Sequence, residues 1–505
     1  MDNASLHLKF VPLTFINTDI SKKIQIANTL LFKHVLKKYN CLRPLSTLIT
    51  KSQYGYTASA KSHGKYRFLR ITDINLGHVN WDKVPFCECE TPGKYLLNPG
   101  DILIARTGNN ISYLTPINIP KNVIFASYLI RFMCSDDLLP DYLYRFLNSY
   151  AFWSQILAKQ RGALLQNVNA QRMGEILIPY CDVAEQELLL NGNKNSEIEL
   201  DRKVTLDKFD FVNNINCEFT TQSSHLSLLR RVILQEAVEG KLTTEWRKTH
   251  PELMSGEHLA ARLLEKIKAE KERLVKEGKI KKQKPLPPVS DAEKPFDLPE
   301  GWVWCRLPHI LDHGDSLRRG PFGSSITKSM FIVKSKIATK VYEQKNAIYK
   351  DHTLGSYYID LDQYNNLRSF MTGPGDIIIS CAGTIGETYL LPEDAPEGVI
   401  NQALLKVRLN SKIVDSHFFM NVFKAQTKSR INEDAKGTAM KNISSIEYLK
   451  NELMFPLPPL AEQKAIVERV DRLMAMVDEL EAQVEERKEQ AERLMQAVLR
   501  EAFEG

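Results

Sequence analysis

The chain has 505 residues, 43% of them hydrophobic and 25% charged, so it is long enough and apolar enough to bury more than one core. Its formal net charge is +6, no apolar run approaches the roughly 20 residues that a membrane-spanning helix needs, and the N-terminus lacks a signal-peptide pattern. These features exclude a helical membrane protein and lead us to expect a cytoplasmic protein. The eight cysteines are scattered, with only Cys87 and Cys89 close together, which predicts buried thiols rather than a zinc site or a disulfide framework.

The N-terminal segment, residues 1–40, gives the weakest pattern. Residues 24–39 have the spacing of an amphipathic helix, with lysines pointing outward. Its predicted apolar face consists of Ile24, Ala27, Leu31, Val35 and Leu36. We assign this segment no function.

From residue 41 to 181 the pattern changes to short β-like runs separated by Gly, Pro and Asn. Strands are predicted at 66–71, 101–106, 123–133 and 176–180, and a helix at 138–159. The sequence Asn-Pro-Gly-Asp at 98–101 is typical of a type II turn, because proline fixes φ and glycine accepts a positive φ. This segment therefore predicts a mixed α and β domain.

The second half of the chain repeats the first. PGDILI at 99–104 recurs as PGDIII at 374–379, and the Gly and Asn of 162 and 167 recur at 437 and 442. AEQ at 184–186 recurs at 461–463, and the helix ending LRRVILQEAVEG at 229–240 recurs as LMQAVLREAFEG at 494–505. Markers that keep their order over this distance indicate a duplication, with residues 302–458 as the second domain.

A long C-terminal helix is predicted for residues 460–503. Its apolar residues step by four and three, which is a heptad seam. The seam consists of Ile466, Val470, Leu473, Val477, Leu480 and Val484. Its predicted partner is the helix ending at 226–240, packed antiparallel with approximate internal two-fold symmetry. Replacing Leu473 and Leu480 by Lys is then expected to unfold or aggregate the protein.

The most charged part of the chain lies between the two copies. Residues 262–284 contain ten basic and four acidic residues. They form either the solvated face of a helix or a region that attracts DNA through counterion release. The proline-rich residues 286–301 then predict a stiff linker into the second copy.

Each copy contains three loops at matched places: 51–57, 106–109 and 161–167 in the first, and 319–328, 381–386 and 436–442 in the second. A cation beside glycine suits phosphate contact, and Gln, Asn and Thr can read base edges. Solvated surface loops are the alternative, which the matched placement disfavours. The candidate DNA-binding residues are Lys51, Gln53, Tyr54, Arg70, Arg106, Thr107, Asn109, Arg161, Gln166, Asn167, Arg319, Phe322, Ser324, Ser325, Lys328, Thr384, Lys436, Thr438, Lys441 and Asn442.

Catalytic motifs are missing from the sequence. It has no Walker loop, no His/Cys metal cluster and no nucleophile elbow centred on serine. Asn-Pro-Gly at 98–100 departs at its third position from the Asn-Pro-Pro-aromatic motif of amino-methyltransferases. We therefore predict a non-catalytic chain with no catalytic residues and no metal site.

Three strings resemble the specificity subunit of type I restriction-modification enzymes. They are LPPLAEQKAIV at 457–467, QEAVEGKLT at 235–243, and the basic run 279–284 followed by LPEGW at 298–302. The resemblance implies an α+β fold with two tandem target recognition domains, each reading half of a split DNA site, separated by long antiparallel helices. The implied segments are 1–40, recognition domain 41–181, conserved helical region 182–285, linker 286–301, recognition domain 302–458 and conserved helix 459–505.

The resemblance also implies partners. Two methyltransferase subunits and the restriction and translocase subunits would dock on the helices, and S-adenosylmethionine, ATP and magnesium would bind in those subunits rather than in this chain. The docking residues would be Leu229, Ile233, Ile466, Val470, Leu473, Val477 and Leu480. Polar sequence at 190–223 leaves the length of the first helix open.

Two other classes of protein stay open. One is a coiled-coil scaffold that binds proteins, and the other is a single-chain enzyme that modifies DNA. Methyl transfer by the isolated chain would indicate the enzyme, and sequence-dependent DNA binding would exclude the scaffold.

Overall fold

The computed structural model describes residues 19–75, 77–106, 112–159, 169–191, 196–280, 286–313, 315–322, 325–335, 337–433 and 445–504. The chain divides into two compact units. Unit 1 comprises Met1–Thr220 with Glu486–Gly505, and unit 2 comprises Thr221–Glu485. The division therefore passes through the two long helices, Ser196–Val238 and Leu460–Glu504. The limits of the six segments given above remain predictions.

The first half of the chain contains helices α1 Asp19–Tyr39, α2 Pro140–Leu147, α3 Tyr150–Lys159, α4 Ala170–Gly174, α5 Val183–Leu190 and α6 Ser196–Val238. Its strands are β1 Leu42–Pro44, β2 Ile49–Tyr54, β3 Tyr66–Leu69, β4 Ile74–Asn75, β5 His78–Val79, β6 Phe86–Cys87, β7 Ile102–Ala105, β8 Ser112–Leu114, β9 Val123–Phe125, β10 Leu129–Cys134 and β11 Leu177–Pro179.

The second half contains helices α7 Thr244–Thr249, α8 Ala260–Lys276, α9 Leu307–Ile310, α10 Gln344–Tyr349, α11 Leu361–Asn366, α12 Ser416–Glu433, α13 Ile446–Asn451 and α14 Leu460–Glu504. Its strands are β12 Val303–Arg306, β13 Leu317–Arg319, β14 Thr339–Tyr342, β15 Tyr358–Ile359, β16 Met371–Thr372, β17 Ile377–Ser380, β18 Thr388–Leu390, β19 Gly398–Ile400, β20 Leu404–Val407 and β21 Met454–Leu457.

The two copies share one sheet topology, which confirms two mixed α and β domains built on a repeat. Unit 1 has a four-stranded sheet in the order β2-β10-β7-β8, and unit 2 has β13-β20-β17-β18. A second sheet contains the parallel pair β3 and β9 in unit 1, and β14 and β19 in unit 2. The first and last strands of each copy also pair, β1 with β11 and β12 with β21.

In each four-stranded sheet, the strand that follows the Pro-Gly-Asp turn, β7 or β17, is covered on both faces. In β7, Ile102 and Ile104 belong to one core cluster and Leu103 to another, because successive side chains of a strand alternate between faces. In β17, Ile377 and Ile378 divide in the same way. Continuous apolar runs such as these are typical of strands buried on both sides.

The turn that enters this strand has the predicted form in both copies. Gly100 and Gly375 have φ of 82° and 81°. The Asp101 N–H donates to Asn98 O, and the Asp376 N–H donates to Gly373 O, both at 3.1 Å. The turn prediction is confirmed.

Other local predictions need correction. The run 123–133 is not one strand, because a turn separates β9 from β10. The predicted helix 138–159 is also interrupted: it divides into α2 and α3, where the Ser149 hydroxyl accepts from the Phe152 N–H at 3.4 Å at the start of the second helix. The helix predicted at 24–39 is present as α1, but Ile24 is exposed while Ile26 and Phe32 are buried.

The antiparallel helix pair is present within unit 2. There, Ile233 and Ala237 of α6 share a core cluster with Val470 and Val477 of α14. The Arg230 guanidinium contacts Glu481 at 2.8 Å. The first helix is 43 residues long, so the polar sequence at 196–223 is helical although it has little heptad character.

The heptad step misplaces one predicted seam residue. Val470 is 1% exposed and Val477 is 2% exposed, whereas Leu480 is 44% exposed. Val484, seven residues after Val477, is also buried, so the buried stripe keeps the seven-residue step and leaves Leu480 at its edge. The prediction that Leu480 lies in the buried seam is wrong, and Leu473 is partly buried.

The first part of the charged region between the copies lies in helix α8, which packs on the core of unit 2 through Ala260 and Ile267. The Lys271 ammonium donates to the carbonyls of Pro308 and Leu311 at 3.1 and 2.9 Å, and burial lowers its pKa. Arg262 pairs with Glu265 on the outer face. This packing supports a helix with a solvated charged face, while attraction of DNA to it remains a prediction.

Every helix among the described residues is too short or too polar to span a lipid bilayer.

Candidate nucleic-acid interface

A glycine lies where three strands of unit 1 end. The Gly55 N–H donates to Leu129 O at 3.2 Å, and the turn between β9 and β10 closes with the Leu129 N–H donating to Ala126 O at 2.9 Å. A Cβ atom on Gly55 would lie 2.2 Å from Ala126 O, so only glycine permits this approach. We call Tyr54, Gly55, Arg106 and residues 126–129 the Gly55 junction.

An arginine and an aromatic ring meet at the Gly55 junction. The Arg106 guanidinium lies 4.7 Å from the centre of the Tyr54 ring and donates to Ser127 O at 3.4 Å. The Tyr54 hydroxyl accepts from the Ala170 N–H at 3.1 Å. Arg106 and Tyr54 come from two predicted loops, and Ala170 follows the third. The structure thus brings residues from the first two loops together and places the segment after the third beside them.

Unit 2 repeats the arrangement around another glycine. The Gly320 N–H donates to Leu404 O at 2.9 Å, and the Leu404 N–H donates to Asn401 O at 3.0 Å. A Cβ atom on Gly320 would lie 1.8 Å from Asn401 O. We call Arg319, Gly320, Phe322, Cys381 and residues 401–404 the Gly320 junction.

The Gly320 junction also pairs an arginine with an aromatic ring. The Arg319 guanidinium lies 5.0 Å from the centre of the Phe322 ring, which is 60% exposed, and donates to Gln402 O at 3.4 Å. An arginine therefore binds a turn carbonyl in both copies. In both copies, a cation lies over an aromatic face.

The two arginines come from different strands. The Arg106 N–H donates to Tyr128 O at 2.9 Å, and the Cys381 N–H donates to Ala403 O at 2.8 Å, so Cys381 takes the backbone position of Arg106. Cys381 is buried, and burial raises the pKa of its thiol to about 11. The arginine of the second copy stands at the end of β13, where the first copy has Tyr54.

Loop 381–386 is fixed by local contacts. The Ser380 hydroxyl donates to Thr384 O at 2.6 Å, and the Gly386 N–H donates to Ser380 O at 2.9 Å. Gly386 has a φ of 88°, and a Cβ atom on it would lie 2.9 Å from a methyl carbon of Thr427 in α12. The Thr384 side chain is exposed at the surface of this fixed loop.

Two predicted DNA-binding side chains already have partners within the protein. Gln53 donates to Lys94 O and accepts from Arg131, both at 2.7 Å. Arg70 contacts both carboxylate oxygens of Asp73, at 2.8 and 3.0 Å, and these hydrogen bonds raise the pKa of its guanidinium. Contact with DNA would therefore require either side chain to share or exchange its partner.

The other predicted residues fall into two sets. Three are exposed: Lys51, Ser325 and Lys328. The rest lie outside the described residues and remain predictions: Thr107, Asn109, Arg161, Gln166, Asn167, Ser324, Lys436, Thr438, Lys441 and Asn442.

The predicted docking residues require a correction. Four of them pack inside unit 2, where their side chains join the chain's own helices and are not available to another subunit: Ile233, Ile466, Val470 and Val477. Leu473 is partly buried against the same core. Leu229 and Leu480 are exposed and remain candidates for docking.

An Asp–Arg pair in each copy was not predicted; both aspartates and Arg131 are buried, whereas Arg408 is exposed. Asp101 binds Arg131 at 3.1 Å in unit 1, and Asp376 binds Arg408 through two bonds of 2.6 and 2.7 Å in unit 2. The recurring PGD string marked the two aspartates but gave no sign of the arginine partners, which lie on a neighbouring strand or directly after it.

The repeated AEQ string has a structural role. The fully buried Gln186 donates to the carbonyls of Asp137 and Cys181 at 3.0 and 2.8 Å and accepts from the Leu139 N–H at 3.0 Å. Gln463 makes the same three kinds of bond in unit 2, with Ile413, Pro458 and Asp415. The recurrence of AEQ in the sequence marked these glutamines, but it did not show that they bind backbone groups.

The neighbouring glutamates differ between the copies. Glu462 is fully buried and accepts from Trp302, Thr243 and Arg247 at 2.7, 2.7 and 2.6 Å. Glu185 accepts from Lys38 at 2.8 Å nearer the surface, and this bond lowers the pKa of its carboxyl. The two copies therefore share the hydrogen bonds of the glutamine but differ in the partners and burial of the glutamate.

Comparison with known proteins gives one family. Residues 332–490 match the family model described as type I restriction modification DNA specificity domain. The chain is 32% identical over 263 residues to the specificity subunit of the type I restriction enzyme EcoAI of Escherichia coli, covering 51% of this chain and 41% of that protein. It is 30% identical over 260 residues to the specificity subunit of EcoEI of Escherichia coli, covering 50% and 41%.

The match thus spans about two fifths of the length of these curated relatives. A solved chain from work on complex assembly and conformational transition of the type I restriction-modification system is similar with a TM-score of 0.48 and 17% identity, covering 92% of this chain and 97% of that one. On the family model and the curated relatives, this chain is similar over about half of its length to the specificity subunits of type I restriction enzymes.

Proposed function

We propose that this chain supplies the DNA sequence specificity of a type I restriction-modification enzyme, with each copy of the repeat reading one half of a split site. The observation that carries the proposal is the pair of glycine junctions. Their backbone hydrogen bonds coincide, while the side chains that they present differ. A site with two unlike half-sequences requires this combination, because donors and acceptors on base edges must be matched one by one.

The junctions also have suitable chemistry for DNA. Arg106 and Arg319 each stand at the end of a strand, over an aromatic ring, with the guanidinium oriented by a carbonyl of the neighbouring turn. Arginine can contact phosphate, which fixes register, or the edge of guanine, which specifies sequence. Rigid placement lowers the entropy that such a side chain loses on binding.

The chain would act without catalytic residues of its own. Within the described residues, no group of three or more His, Cys, Asp or Glu side chains is placed to hold a metal ion. Two methyltransferase subunits would use S-adenosylmethionine, and restriction and translocase subunits would use ATP and magnesium. We expect the complex to act in the cytoplasm. The names of the curated relatives, which are specificity subunits of restriction enzymes, support a role as one subunit of a larger enzyme.

A selection experiment tests the proposed function. The full-length chain, alone and together with the methyltransferase subunit of its host, is incubated with duplexes that contain a long randomised segment, and the bound duplexes are sequenced. We expect two short fixed blocks separated by a spacer of constant length. A single contiguous block, or no enriched sequence in either preparation, would contradict the proposal and favour the protein-binding scaffold.

A second measurement separates the specificity subunit from a single-chain enzyme. Purified chain is incubated with radiolabelled S-adenosylmethionine and the selected duplex, with and without the methyltransferase subunit. Incorporation is expected only when that subunit is added. Label transferred by the chain alone would show that it is itself the methyltransferase.

A further inference from the structure

We propose that one turn in each copy, between β9 and β10 in the first and between β19 and β20 in the second, is a further base-reading element. In this assignment Tyr128, in the turn 126–129, and Gln402, in the turn 401–404, are specificity-determining residues for one half-site each. This proposal rests on the proposed function and names new residues for it. Neither residue belongs to the loops that the sequence predicts, because the run 123–133 was predicted to be a continuous strand.

The two turns have the same rigid backbone. Besides the bond that closes each turn, the Ala126 N–H donates to Leu69 O at 2.9 Å and the Asn401 N–H donates to Tyr342 O at 3.0 Å. The glycine of each junction packs directly against the first residue of the turn. The turns are therefore held by neighbouring strands, and their exposed side chains start from fixed positions.

Each turn presents one large polar-tipped side chain to solvent. Tyr128 is 62% exposed, although a tyrosine usually buries much of its ring. Gln402 is exposed in the second copy, where the position of Tyr128 is occupied by Ala403. A tyrosine can combine apolar contact with a hydroxyl hydrogen bond, and a glutamine can bind adenine through two hydrogen bonds. The two side chains thus differ in chemistry, while the two turns that carry them have the same backbone hydrogen bonds.

The junction arginines connect the turns to the predicted interface. Arg106 donates to the carbonyl of Ser127, and Arg319 donates to the carbonyl of Gln402, each at 3.4 Å. A guanidinium that contacts DNA at either junction would bring the adjoining turn within reach of the same stretch of duplex. Tyr128 and Gln402 would then face bases near the anchored phosphate.

Exposure alone would not distinguish these residues, as Ile117 shows. It is 93% exposed in the segment that follows β8. The matching segment of the second copy, after β18, carries Glu393, Asp394 and Glu397 at exposed positions. Carboxylates there would repel phosphate, so this edge of the sheet is not a shared DNA surface. Ile117 therefore supplies a control that is more exposed than Tyr128.

The test repeats the duplex selection with full-length variants. We expect Tyr128→Ala to reduce discrimination at one or more positions of one block by roughly tenfold or more, and Gln402→Ala to do so in the other block. Tyr128→Gln should change the preferred base in the block that Tyr128→Ala relaxes. Ile117→Ala should leave both blocks unchanged. Thermal melting of each variant checks that these exposed substitutions keep the fold.

The outcomes separate the two proposals. A wild-type chain that selects no split site contradicts the proposed function itself. A wild-type chain that selects a split site, with both blocks unchanged in Tyr128→Ala, Tyr128→Gln and Gln402→Ala, overturns the assignment of the turns and leaves the proposed function standing. Relaxation of both blocks by a single variant, or equal relaxation by Ile117→Ala, would also overturn it.

Discussion

The Gly55 junction and the Gly320 junction have the same backbone and different side chains. Each glycine N–H binds the residue that closes the neighbouring turn, and each junction arginine binds a carbonyl within that turn. Yet the arginine stands on β13 in one copy and directly after β7 in the other. The fold is therefore fixed by groups that point inward, which leaves the outward side chains free to diverge after duplication.

The inward groups are polar as well as apolar. A buried aspartate bound to an arginine recurs in both units, although Arg131 and Arg408 stand at different positions, and the buried glutamine of the AEQ string recurs with matching partners. A buried polar group needs its hydrogen bonds, so a change in one partner is costly and is selected against. Exposed turn residues carry no such cost.

The largest expected effect comes from charging the shared helix framework. Val470→Lys places an ammonium at a position that is 1% exposed, and an uncompensated buried charge costs about 3–5 kcal/mol. Leu480→Lys lies on the same helix but is exposed, so its change in the free energy of unfolding should stay below about 0.5 kcal/mol. Urea denaturation of the two variants measures the difference. Similar losses in both would contradict the burial of the seam described here.

The junction glycines should be the next most sensitive positions. Gly55→Ala and Gly320→Ala would each force a Cβ atom into a backbone carbonyl, with a loss of about 1–3 kcal/mol or more. Gly93→Ala is the matched control, because its Cβ atom would meet nothing within 4 Å. If Gly55→Ala lost stability while Gly320→Ala did not, the two junctions would not be structurally equivalent.

The buried glutamines Gln186 and Gln463 test whether the two copies are also equivalent outside the junctions. Gln186→Ala and Gln463→Ala each leave two carbonyls and one N–H without a partner, and each should cost about 1–3 kcal/mol in the free energy of unfolding. Gln490→Ala, an exposed change on α14, should be nearly neutral. Unfolding in urea provides the measurement, and clearly unequal losses at the two buried positions would count against a common framework.

The smallest loss of stability is expected at the two junction arginines, and it should be the same for both. Arg106→Ala and Arg319→Ala each remove a cation from an aromatic face, at a cost of about 0.5–1 kcal/mol. The loss in the free energy of unfolding should therefore be the same for Arg319→Ala and Arg106→Ala, although the two arginines come from different strands. A loss of several kcal/mol for either variant would show that its arginine belongs to the folding core rather than to the surface of the junction.

The repeat, the turns before β7 and β17 and the long C-terminal helix could be predicted from the sequence, because glycine, proline and heptad spacing have local causes. The length of α6 could not, because residues 196–223 have little heptad character. The turn at 126–129 could not, since Ala-Ser-Tyr contains no Gly, Pro, Asn or Asp and its single serine lies between apolar runs. The exposure of Leu480 also could not, because it depends on where the partner helix lies rather than on spacing. The pairing of Arg106 with Tyr54 brings together residues distant in sequence, which no local pattern encodes.

Exchanging residues 41–181 for the corresponding segment of a relative with a different site shows whether each copy reads one half-site. The hybrid and the parent are each expressed with the methyltransferase subunit, and the methylated sequence is mapped across the host genome. We expect one half of the split site to change, with the other half and the spacer length retained. A hybrid with both halves changed, or with neither changed, would contradict the account.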